Sequence, residues 1–199
     1  AYVPLLSVAP LICLKFRPSQ GIFFVYVISA TLLYHVSLSS QYLSGADIQV
    51  EYYFANKVLE NCHWDPSIPH TYDTALSVTI LLPVLSLVSS IKLLDVLKIV
   101  YPLIFCFVPV MLFKMFLKLC YRDNEAFLST FYFISIFPFF TELLQLARQM
   151  IAEVLLAILI YVLIISFKTT GEKTNKRLLF ILVILFFALV FSHYGTYYS

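Results

Sequence analysis

Leu76-Ser77-Val78-Thr79-Ile80-Leu81-Leu82-Pro83-Val84-Leu85-Ser86-Leu87-Val88-Ser89-Ser90-Ile91 is the stretch that decides the fold. It is apolar enough to enter a bilayer, yet it is short, interrupted by Pro83 and dotted with the hydroxyls of Ser77, Thr79, Ser86, Ser89 and Ser90. A crossing helix needs ~20 mainly apolar residues to traverse about 30 Å of hydrocarbon with its own backbone satisfied. Whether this stretch crosses sets the side of the membrane on which every later loop falls.

Working outward, six other apolar runs are candidate spans: Tyr2 to Phe16, Gly21 to Leu38, Leu97 to Leu117, Phe127 to Leu146, Ile151 to Phe167 and Leu178 to Phe191. Lys and Arg concentrate in cytoplasmic loops. The basic clusters are Lys15 with Arg17, then Lys114, Lys118 and Arg122, then Lys168, Lys173, Lys176 and Arg177. All three share one side only if Leu76 to Ile91 does not cross. The charge bias therefore predicts an all-α, polytopic transmembrane helical bundle of six crossings, with the 76–91 helix lying in the outer interface or dipping back. Residues 1–199 form a single transmembrane domain, and 39–96 an external loop carrying interfacial helices. Ala1 stands where a Met would begin a chain, and the sequence is expected to be part of a longer protein.

Composition agrees with the bilayer. The 199 residues are 61% hydrophobic and only 12% charged, about half the charged share of a soluble domain, and the mean hydropathy is +0.92. Disorder, a fibrous architecture and a water-soluble enzyme are excluded. The net charge of +2 comes without a basic stripe interleaved with aromatics, so no nucleic-acid partner is expected. Cys13, Cys62, Cys106 and Cys120 show no paired spacing and read as small hydrophobes.

This topology puts most chemically competent side chains on the outer side. In Gly45-Ala46-Asp47-Ile48-Gln49-Val50-Glu51, a helix would set Asp47 and Glu51 four residues apart on one face, where both could serve one site as base, metal ligand or cation clamp. Alternatively, Asp47 merely caps a solvated helix. Asn61-Cys62-His63-Trp64-Asp65 and His70-Thr71-Tyr72-Asp73 hold His and Asp without the spacing of a metal-ligand pair, and their aromatics suit the membrane–water boundary. In Thr141 to Glu153, helical spacing would align Gln145, Gln149 and Glu153 on one face with Arg148 beside them. Arg148 either snorkels to headgroups or binds a phosphate through its forked guanidinium. His193 and Tyr194 close the last span. His35 is expected to pack or hydrogen-bond rather than join the site.

The stretches 45–54, 76–83, 98–105, 147–153 and 192–196 resemble an archaeal family of multispanning membrane proteins of unknown function, which is similar in turn to the GT-C glycosyltransferase superfamily. The likeness covers most of the chain from about residue 39. It implies a sugar carried by a polyprenyl phosphate such as dolichyl phosphate, transferred to a glycan, lipid or protein acceptor at the outer face of the cell membrane. Asp47 falls at the acidic position of the first external loop, expected to take the acceptor's proton, with Glu51 beside it in the family's own motif. Arg148, Gln149 and Glu153 fit an Arg-Gln-x-x-Ala-Glu pattern, with Arg148 for the lipid phosphate, and His193 and Tyr194 fit a His-Tyr motif for phosphate or sugar. Ile48 follows Asp47 where several GT-C subfamilies carry an adjacent acidic pair, and the use of a divalent cation is left open. The competing expectations are a transporter or flippase of lipid-linked saccharides, and a scaffold without chemistry.

Overall fold

The computed structural model describes residues 18–65, 75–120, 122–169 and 176–193. All regular elements among them are helices: α1 (Pro18–Ser37), α2 (Ala46–Asn61), α3 (Ser77–Ser89), α4 (Leu93–Leu119), α5 (Asp123–Ser135), α6 (Phe137–Gln145), α7 (Ala147–Thr169) and α8 (Lys176–His193). Helices α1, α4, α7 and α8 contain stretches long and apolar enough to cross a membrane. The chain is therefore read as an integral membrane protein with a polytopic helical bundle. The expected span Tyr2 to Phe16 and the loop around Lys173 lie outside the described residues.

Side-chain contacts fix which ends of the helices lie together. At one end the Ser37 hydroxyl donates to the Lys98 carbonyl at 2.6 Å, and the Tyr34 hydroxyl to that of Ile99 at 2.8 Å. The first of these bonds follows from Pro102, which has no N–H to offer the carbonyl four residues earlier. That carbonyl belongs to Lys98, in a π-helical segment of α4, and Ser37 supplies a donor for it. At the other end the Lys118 ammonium sits 5.6 Å from the centre of the Tyr161 ring, joining the last turns of α4 to the second half of α7. Gly21, near the start of α1, lies against Phe113; a Cβ there would fall 2.8 Å from the ring. Helix α1 thus runs antiparallel to α4.

The first end is common to the C-terminus of α1 and the N-terminus of α4, so the 38–92 segment leaves and returns on one side. Helix α3 is not among the helices long and apolar enough to cross a membrane. Its 77–89 span is ~20 Å long at 1.5 Å per residue, too short for about 30 Å of hydrocarbon. Its first turn is tied to α4 and α8, with the Tyr101 hydroxyl donating to the Ser77 carbonyl and the Ser77 hydroxyl to the Ser192 carbonyl at 2.6 Å. Val78 and Leu82 face the core, while Ile80, Val84, Leu87 and Val88 form an exposed apolar stripe at helical spacing.

One expected span differs from the structure. The run Phe127 to Leu146 is not a single straight helix: α5 and α6 meet at a 65° bend. Ile136 is extended there, with φ −69° and ψ 129°, and Pro138 opens the second arm. A proline ring at that point would collide with the carbonyl four residues earlier in a continuous helix. The bent pair still carries the chain between the two ends of the bundle, because α4 finishes beside Tyr161 and α7 starts beside α2. The second arm is anchored by Phe139, stacked 5.2 Å from Phe105 of α4.

Cys62 follows α2 and Cys120 follows α4, which places them at opposite ends of the bundle. Single-cysteine variants in sealed vesicles are expected to react with an impermeant maleimide from opposite sides, Cys62 from one and Cys120 only from the other. Reaction of both from the same side would contradict the crossing parity.

Candidate functional site

Helix α2 begins at Gly45, whose φ of 115° is a conformation that side chains with a Cβ rarely adopt. A Cβ at this position would also meet Gln145 at 2.7 Å. Glycine thus allows α2 to start flush against the turn that ends α6. That contact aims the first turns of α2 at the start of α7.

Helix α7 lacks a capping side chain just before it: Leu146 occupies that place, with φ −132° and ψ 80°. The first amides of a helix need acceptors and favour a negative charge. Glu51 supplies both from another helix, its Oε2 accepting the Ala147 N–H at 2.7 Å. Its Oε1 accepts from Nη1 of Arg148 at 2.7 Å, and Asp47 Oδ2 accepts from Nη2 at 3.2 Å. The four-residue spacing of Asp47 and Glu51 thus makes a clamp on one cation, among the uses expected of that spacing.

The two carboxylates differ in access. The Glu51 side chain is 0% exposed and that of Asp47 is 40% exposed, with the guanidinium between them at 10%. Burial pushes the Glu51 carboxyl up from its ordinary 4.5 to about 7, against the lowering influence of the guanidinium and of the Ala147 and Arg148 amides. Glu51, expected among the catalytic residues, is engaged on both oxygens and sealed from solvent. It orients Arg148 and the start of α7.

The remaining expected residues fall into two groups. Gln149, Glu153 and His193 line one cavity of about 380 Å³ between α7 and α8, with an apolar floor of Leu156, Leu189 and Val190. His193 is close enough to Arg148 to feel its charge. Gln145 is separated from this set: it closes a 3₁₀ turn at Leu143–Gln145, and the break at Leu146 takes it off the face that Gln149 and Glu153 share on α7. Tyr194, His70, Tyr72 and Asp73 lie outside the described residues. His63 is exposed and bonds through Nδ1 to the Asn61 carbonyl at 2.9 Å, as part of the turn after α2. No three His, Cys, Asp or Glu side chains gather as metal ligands among the described residues.

Lys98 falls at the start of the expected span Leu97 to Leu117, and the structure buries it at the site end. Its ammonium donates to the Ser40 carbonyl, beside Ile48 and Leu144. The available signal was its place just before Tyr101-Pro102, where the proline disturbs the helix. Compared with protein-family models, curated proteins and solved structures, the chain finds no match.

Two predictions follow from the clamp. Removing one partner of a buried ion pair typically costs about 3–5 kcal/mol, because the other charge is left buried. Glu51→Ala and Arg148→Ala are each expected to destabilise the detergent-solubilised protein on that scale, and the double variant by clearly less than the sum; strict additivity in a double-mutant cycle would disprove the coupling. The second concerns pH. Between 4.5 and about 7 the folded chain keeps a Glu51 proton that the unfolded chain has released. Its stabilising contribution is therefore full below pH 4.5 and lost as pH rises through about 7. The thermal midpoint of the protein should fall across that window relative to Glu51→Gln, and parallel curves would count against it.

Proposed function

We propose that the chain is the membrane domain of a GT-C-like glycosyltransferase, moving a sugar from a polyprenyl-phosphate donor to a glycan, lipid or protein acceptor at the outer face of the cell membrane. The observation that carries this is the Asp47–Arg148–Glu51 clamp, an exposed carboxylate and a buried, pre-oriented guanidinium at one end of a transmembrane bundle. The outer location rests on the basic residues Lys114, Lys118, Arg122, Lys176 and Arg177 at the opposite end.

The two contacts to Arg148 divide the labour. Glu51 holds Nη1 at 2.7 Å and is inaccessible, whereas Asp47 holds Nη2 at 3.2 Å and faces solvent. A donor phosphate reaching the guanidinium displaces Asp47, the looser partner, while Glu51 keeps the fork oriented. Asp47, released beside the donor, accepts the proton of the acceptor hydroxyl. The acceptor oxygen forms a bond to the anomeric carbon as the bond from that carbon to the phosphate oxygen breaks. The electron pair leaves with the polyprenyl phosphate, whose charge Arg148 neutralises.

The test is transfer from radiolabelled dolichyl-phosphate sugars in membranes expressing the protein. Asp47→Asn is expected to lower transfer by at least about 10²-fold with the amount of protein in the membrane unchanged. Arg148→Lys, which keeps the charge but loses the fork, should lower it while raising the donor concentration needed. Unchanged transfer in Asp47→Asn removes the base. Movement of the lipid-linked sugar across the bilayer without transfer would replace this proposal with the transporter one.

A further inference from the structure

The cavity between α7 and α8 has a wall chemistry of its own. Glu153 lies six residues into α7, about 9 Å along the axis from Ala147. Ionisable groups at such depth are costly and face a cavity or a partner. Among the described residues, neither the Glu153 carboxylate nor the Gln149 side-chain amide takes part in a hydrogen bond or ion pair. Both are half-buried on the cavity wall, and among the described residues no lysine or arginine lines it.

The nearest guanidinium is that of Arg148, whose charge reaches His193. Arg148 is bonded by Asp47 and Glu51 on the other side of α7, and Glu153 is the carboxylate on the cavity wall among the described residues. Below the polar rim the walls are Leu156, Leu189 and Val190, and the neighbouring outer faces of α7 and α8 expose Leu156, Ile160, Phe186 and Phe187. An occupant therefore needs an apolar body and a head that suits a carboxylate, an amide and an imidazole.

We infer that this cavity binds a lipid whose headgroup offers O–H or N–H donors and carries no net negative charge. A hydroxyl and an ammonium share the required chemistry, donating to Glu153 and to the Gln149 carbonyl oxygen while the tail lies along Leu156, Leu189 and Val190. A phosphate head is repelled. Taken with the glycosyl-transfer proposal, on which this clause alone rests, the bound lipid is the acceptor, and the phosphate-bearing donor approaches Arg148 from the Asp47 side.

The probes are dioleoylglycerol, oleylamine and dioleoylphosphatidic acid, titrated into the detergent-purified full chain and read by native mass spectrometry and by the shift in thermal midpoint. Dioleoylglycerol and oleylamine are expected to bind at least about tenfold more tightly than phosphatidic acid, as 1.4 kcal/mol of charge repulsion requires. Glu153→Gln should erase the preference for oleylamine over phosphatidic acid while dioleoylglycerol still binds. Leu189→Trp, which fills the floor, should abolish dioleoylglycerol binding. Equal or tighter binding of phosphatidic acid overturns the inference, as does an unchanged amine preference in Glu153→Gln. The two proposals fail separately: loss of sugar transfer with lipid selectivity intact sinks only the glycosyltransferase, and absent selectivity with transfer intact sinks only this one.

Discussion

The contact on which the molecule turns is the Glu51 carboxylate at the start of α7. A transmembrane helix that begins after Leu146 has no side-chain cap of its own, and its first amide and the Arg148 guanidinium both need an anionic partner inside the protein. Glu51 meets both needs from α2, an amphipathic helix that is not among those long and apolar enough to cross a membrane. One carboxylate thereby docks α2 onto the bundle and orients the guanidinium. The cost of burying it is visible in its raised proton affinity.

That docking depends on features with no chemistry. Gly45 lets α2 start against Gln145, where any side chain would collide. Pro138 bends the 123–145 segment so that its second arm ends beneath α2 rather than continuing straight. Phe139 on Phe105 holds that arm in place. The site is thus assembled from a glycine, a proline and an aromatic stack before any ionisable group enters it.

Within the site, accessibility separates roles that residue type alone leaves together. Asp47 and Glu51 are one helical turn apart, yet one reaches solvent and the other does not. Arg148 and Gln149 are neighbours in sequence, but one turns toward α2 and the other toward α8. The result is a clamp on one side of α7 and an apolar, carboxylate-rimmed cavity on the other, two environments with different electrostatic preferences.

Much of this was legible in the residues. Hydrophobic runs of adequate length, and Lys and Arg gathered after alternate runs, are local quantities. They sufficed for an all-helical membrane bundle and for the pairing of Asp47 with Glu51, because four-residue spacing fixes a shared helical face. The meeting of Asp47 and Glu51 with Arg148, about a hundred positions apart in sequence, was not derivable from spacing. Nor were the detachment of Gln145, the burial of Lys98, and the division between a sealed and an open carboxylate. Each depends on where a helix ends and which neighbour covers it. Periodicity reports which face of a helix is apolar, whereas burial and charge pairing are set by the helices packed against that face, which only the folded chain brings together.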